Sequence, residues 1–81
     1  MVSSIWIGRI CFRLYPGDHE PRHAHGELAG TVVVVNLLGD RTVALREVQP
    51  ATAKRTDVRK ILKAASEHFD ELVAAWEKMH P

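Results

Sequence analysis

Apolar and polar positions alternate with period two early in the chain. In Ile10-Cys11-Phe12-Arg13-Leu14-Tyr15 the side chains of Ile10, Phe12 and Leu14 share one face of an extended segment, and Pro16-Gly17-Asp18 closes it as a turn. The briefer run Ser4 to Ile7 predicts an earlier strand joined to it through Gly8-Arg9. His23 to Leu28 reads as extended. After Gly30 the β-branched run Thr31-Val32-Val33-Val34-Val35 is apolar on both faces, as in a central strand covered on each side. A homodimer through this valine-rich strand is one way to supply the second cover. Gly39-Asp40, at the centre of Leu38 to Arg41, offers the positive φ of a tight hairpin that returns as Thr42 to Val48.

Gln49-Pro50-Ala51 breaks this pattern, and the apolar spacing then changes to three and four. Val58, Ile61, Leu62, Ala65, Phe69, Leu72, Val73 and Trp76 form one stripe, while Lys60, Lys63, Glu67, Asp70 and Glu71 face water. Thr56 is a suitable N-cap for one helix from Asp57 to about Met79. The expected fold is α+β in a single domain, residues 1–81. A small, mostly antiparallel sheet of three to five strands (about 4–48) precedes one long C-terminal helix (about 57–79) packed on one face.

Composition narrows the functions rather than the fold. A hydrophobic share of 46%, a charged share of 26% and a net charge of +1 describe an ordinary globular chain without a strong overall field, so nucleic-acid contact requires a local patch. The single cysteine, Cys11, has no internal disulfide partner and lies between Ile10 and Phe12, which suits a buried thiol in a reducing cytoplasm. The run Val32 to Val35 is far too short to cross a bilayer, so neither membrane insertion nor export is expected. No nucleophile elbow, phosphate-binding glycine loop, paired-cysteine motif or dinucleotide fingerprint occurs.

The distinctive chemistry lies in Asp18-His19-Glu20-Pro21-Arg22-His23-Ala24-His25. Pro21 fixes its own φ and biases Glu20 toward an extended conformation, so His23 and His25 should project from one face of the chain, with His19 able to join them from the turn. Three readings follow. In the first, the histidines are structural, hydrogen-bonded on a strand surface to Asp18 and Glu20. In the second, His19, His23 and His25 bind a divalent ion such as Zn²⁺, with Asp18 or Glu20 as a further ligand. In the third, His23, His25, His19 and Asp18 form a catalytic group that moves protons across a phosphodiester. Arg13, Tyr15 and Arg22 are then substrate-binding candidates. Lys54, Arg55 and Arg59, with Lys60 and Lys63, add a basic patch at the start of the helix, where phosphate can dock; the alternative is a solvated face balanced by later acidic residues. His68 flanks the apolar stripe and His80 sits in a frayed helix end, so neither is expected at the site.

Phe12 and Tyr15 on the strand, Asp18-His19, Pro21, His23 and His25, the strand from Thr31 and the helix ending near Trp76 resemble a small bacterial family, DUF4160, a domain of unknown function. The chain departs from that pattern at Arg22, where a second proline is usual, at Ala24, where a β-branched residue is usual, and at Gly26, where another apolar residue is usual. Genes of such proteins often neighbour a second small uncharacterised gene, an arrangement similar to a toxin–antitoxin pair, and the resemblance therefore implies a small cognate protein partner. Two functions from different classes follow. One is a component of a toxin–antitoxin-like module that binds or cleaves RNA through the histidines. The other is a metal- or partner-binding module without turnover.

Overall fold

The computed structural model describes residues 2–81. Five strands form one antiparallel meander in chain order: β1 (Ser3–Ile7), β2 (Ile10–Leu14), β3 (His23–Leu28), β4 (Thr31–Leu37) and β5 (Val43–Gln49). The period-two segments thus become strands, and the expected α+β architecture stands.

The turns between strands carry the backbone conformations that tight connections need. Gly8 has φ +59° in the β1–β2 turn, and Ala29 and Gly30 have φ 50° and 83° between β3 and β4. In the β4–β5 connection the positive φ falls on Arg41 (69°) rather than on the Gly39-Asp40 pair that the sequence suggests. Asp40 Oδ1 accepts hydrogen bonds from the Thr42 N–H at 3.1 Å and the Thr42 hydroxyl at 2.5 Å. That side-chain capping shapes the loop around Asp40 and leaves Arg41 to make the reversal.

The expected single helix is two: α1 (Arg55–Glu67) and α2 (Phe69–Met79), divided at His68, whose φ −112° and ψ 29° leave the helical range. The hydrogen-bond ladder nearly survives the break, since His68 N–H donates to Ala64 O and Leu72 N–H to His68 O. The apolar stripe also continues from Ala65 to Phe69 at a step of four, so its spacing carries no sign of the bend. The start differs as well. Lys54, not Thr56, is the N-cap; it makes no side-chain cap, and its carbonyl accepts from Asp57 and Val58.

Strand register explains which face is covered. Ile5, Phe12, Gly26, Val33 and Val48 are paired in one row across all five strands, and this row faces the helices. At Gly26 the absence of a side chain is a packing requirement. A Cβ there would lie 2.6 Å from Ile61 Cγ2 and 2.8 Å from Phe12 Cε1. Phe12, Leu14, Val33, Val35, Ile61, Leu72 and Trp76 are fully or almost fully buried in the resulting core. The adjacent row, Ser4, Arg13, His25, Val34 and Glu47, lies on the other face, which α2 meets at His23 through Trp76. Val32 and Val34 on that face are half-buried. No helix is long and apolar enough to cross a membrane among the described residues.

Candidate functional site

Strand alternation on β3 turns Ala24 and Gly26 toward the helices and His23 and His25 away from them. Their rings lie side by side, with centroids 5.3 Å apart. The turn after β2 returns Asp18 to the same place, and its Oδ2 is 3.1 Å from Nε2 of His23 and 3.1 Å from Nε2 of His25. Tyr15 meets the His25 ring edge-on at 5.0 Å, and Trp76 of α2 lies 5.4 Å from the His23 ring. His23 is thereby buried, with 7% side-chain exposure, while His25 and Asp18 keep 29% and 26% and remain open to solvent.

The hydrogen bonds of His23 decide what the cluster can do. Its Nδ1–H donates to the carbonyl of Pro21 at 2.9 Å. A neutral ring then leaves Nε2 as its acceptor atom, 3.1 Å from the Asp18 carboxylate without the alignment of a hydrogen bond. Two electron-rich atoms this close favour a positive charge nearby, which a proton or a metal ion can supply. Imidazole ligands to metals are commonly oriented in this way, by a hydrogen bond from the other ring nitrogen to a carbonyl.

One ligand atom each from Asp18, His23 and His25 lies within 4.8 Å of the others. Around a tetrahedral ion with bonds of about 2.0–2.1 Å, ligand atoms are separated by roughly 3.3–3.4 Å, close to the 3.1 Å between Asp18 Oδ2 and each imidazole nitrogen. Two imidazoles and one carboxylate leave coordination positions free. They would open into a cleft of about 510 Å³ lined by the triad with Glu20, Val34, Arg46, Glu47 and Gln49.

Of the residues singled out in the sequence, Asp18, His23 and His25 converge. His19 lines the cleft but is exposed and stands outside the ligand cluster, where Asp18 takes the third position. Arg13 shares the row of His25 but is ion-paired with Glu27 at 2.9 Å, a hydrogen bond that raises the guanidinium pKa above its ordinary value. Arg22 is turned away: Nε and Nη2 donate to the carbonyls of Leu37 and Leu38, each at 3.1 Å. Lys54, Arg55 and Arg59 lie at the beginning of α1 and do not line the cleft.

Three residues enter that the sequence reading left aside. His80 stacks on Trp76 at 3.8 Å and contacts the Asp18 backbone; its spacing of four from Trp76 on a helix was the available signal. Arg46 lines the cleft from β5. Asn36, cross-strand partner of His23, holds a buried Oδ1 without a hydrogen-bond donor.

A family model described as "Domain of unknown function (DUF4160)" matches residues 9–77. The match takes in Tyr15, the whole histidine run and the helices as far as Trp76. No curated protein and no solved structure matches the chain.

Proposed function

The chain belongs to the DUF4160 family, and we propose that it is a divalent-metal protein in which His23 Nε2, His25 Nε2 and the Asp18 carboxylate hold a Zn²⁺-class ion. The observation that carries this reading is that His23 Nδ1–H is committed to the Pro21 carbonyl, which frees Nε2 to join Asp18 and His25 in one group of three ligand atoms. With only three protein ligands, the ion keeps positions for water and substrate, the pattern of catalytic rather than structural sites.

The biological setting we propose is a toxin–antitoxin-like module of the bacterial cytoplasm that acts on RNA, with a small cognate protein as partner. A reduced, buried Cys11 agrees with the compartment. The valine-rich β4 remains a candidate homodimer surface through half-buried Val32 and Val34. A second reading uses the same atoms without metal. His25 Nε2–H donates to Asp18 at 3.1 Å, which would orient His25 as a general base through its Nδ1.

Metal analysis of untagged protein, followed by Zn²⁺ titration against a competing chelator, tests the proposal. Wild type should bind one ion per chain. His23→Ala, His25→Ala and Asp18→Ala should each lose it while melting cooperatively. Equal binding by all four proteins would overturn the reading, and RNA cleavage that survives chelation would favour the metal-free alternative.

A further inference from the structure

We infer that the cleft beside the triad is a phosphate-binding site in which Arg46 takes the anion, an inference that rests on the metal-centre reading above. The β4–β5 ladder pairs Val34 with Glu47 and Val35 with Leu45, so Arg46 is the additional residue of a β-bulge. Strict alternation from Glu47 would send residue 46 to the helix-covered side, beneath α1. The bulge removes that conflict and sends Arg46 to the cleft with His25, Val34 and Gln49.

Arg46 enters none of the ion pairs among the described residues, whereas Arg13 is held by Glu27 and Arg41 by Asp70. Its neighbour Glu47 already accepts a hydrogen bond from Gln49 at 2.9 Å. A guanidinium fork thus stands uncommitted in the cleft where the ion would present its free positions. The ligand that satisfies both must offer two oxygens to the fork and another to the metal. A carboxylate has only two oxygens, whereas a phosphate group has enough for both. The apolar Val32 and Val34 beside Arg46 give an organic substituent of a phosphate ester somewhere to rest.

Replacing zinc by Co²⁺ makes the site visible, since its absorption bands change when an anion enters the coordination shell. Cobalt-loaded wild type titrated with inorganic phosphate, and separately with the monoester methyl phosphate, should show saturable spectral changes. Arg46→Gln should keep the cobalt bands but need about tenfold or more phosphate, the loss of one charge-assisted contact. Lys60→Gln, on α1, should behave as wild type. Stronger response to methyl phosphate assigns a monoester, and stronger response to inorganic phosphate assigns the free ion. Cobalt bands indifferent to both anions, or an Arg46→Gln protein with wild-type phosphate affinity, would overturn the inference alone. Absence of cobalt bands in wild type would remove the metal centre itself and this inference with it.

Discussion

The ring of His80 donates through Nε2–H to the backbone carbonyl of Asp18 at 2.9 Å, across 62 residues of sequence. Its Nδ1 lies 2.9 Å from the Trp76 carbonyl, and the ring stacks on the Trp76 indole. Trp76 in turn packs against His23. The end of α2 therefore braces two members of the triad from behind, one through its backbone and one through its ring.

Removing that brace should loosen the site more than the fold. His80→Ala should weaken Zn²⁺ binding by about tenfold, the usual scale for losing a contact that orients a metal ligand. Trp76 stays buried, so the melting temperature should move little. His80→Gln, which keeps an amide donor, should recover part of the affinity. Chelator competition reads both variants, and unchanged affinity in His80→Ala would remove the proposed role.

How much of this was legible in the sequence depends on whether the cause is local. The strands were legible because one-sided burial imposes a period of two, and His23 and His25 fall on a common face by the same rule. The identity of the third group was not. Asp18 and His19 are adjacent in a turn, and only the path of that turn decides which of them points at the rings. The bend at His68 left no trace because the residues on either side keep helical spacing. Arg46 was hidden by a bulge, which shifts a ladder by one residue without marking the sequence.

Gly26 links the core to the site, since it lies beside His25 on β3 and beneath Ile61. Gly26→Ala should destabilise the protein by about 1–3 kcal/mol, the range for overpacking a filled interior, because Ile61 and the Phe12 ring must both yield. Urea unfolding followed by tryptophan fluorescence measures it. A neutral result would mean that α1 can shift away from the sheet at little cost.

Ala29 occupies a left-handed conformation at φ 50°, followed by Gly30 at φ 83°, in the two-residue turn between β3 and β4. Asparagine adopts that conformation more readily than alanine and precedes glycine in the preferred turn of this kind. Ala29→Asn should therefore stabilise the fold by about 0.5–1 kcal/mol. An increased urea midpoint with an unchanged slope is the expected observation.

The Asp40 carboxyl is held below its ordinary pKa, first by the Thr42 hydroxyl and then by the Thr42 N–H. A depressed carboxylate stabilises the folded chain above its unfolded pKa, and that contribution disappears as the pH falls through the folded value. Asp40→Ala should melt below wild type at neutral pH, and the difference should shrink on acidification past the ordinary carboxylate range. A difference that stays constant with pH would show that the loop does not depend on this charge.

Two imidazole nitrogens and one carboxylate bound the space in which the ion would sit. Anomalous diffraction at the zinc edge, from crystals of protein loaded with Zn²⁺, examines it directly. One strong peak is expected about 2.0–2.1 Å from Nε2 of both His23 and His25, with an Asp18 oxygen completing the set and solvent or anion beyond. A loaded crystal whose zinc peaks all lie elsewhere, with His23 Nε2 still against Asp18 Oδ2, would contradict it.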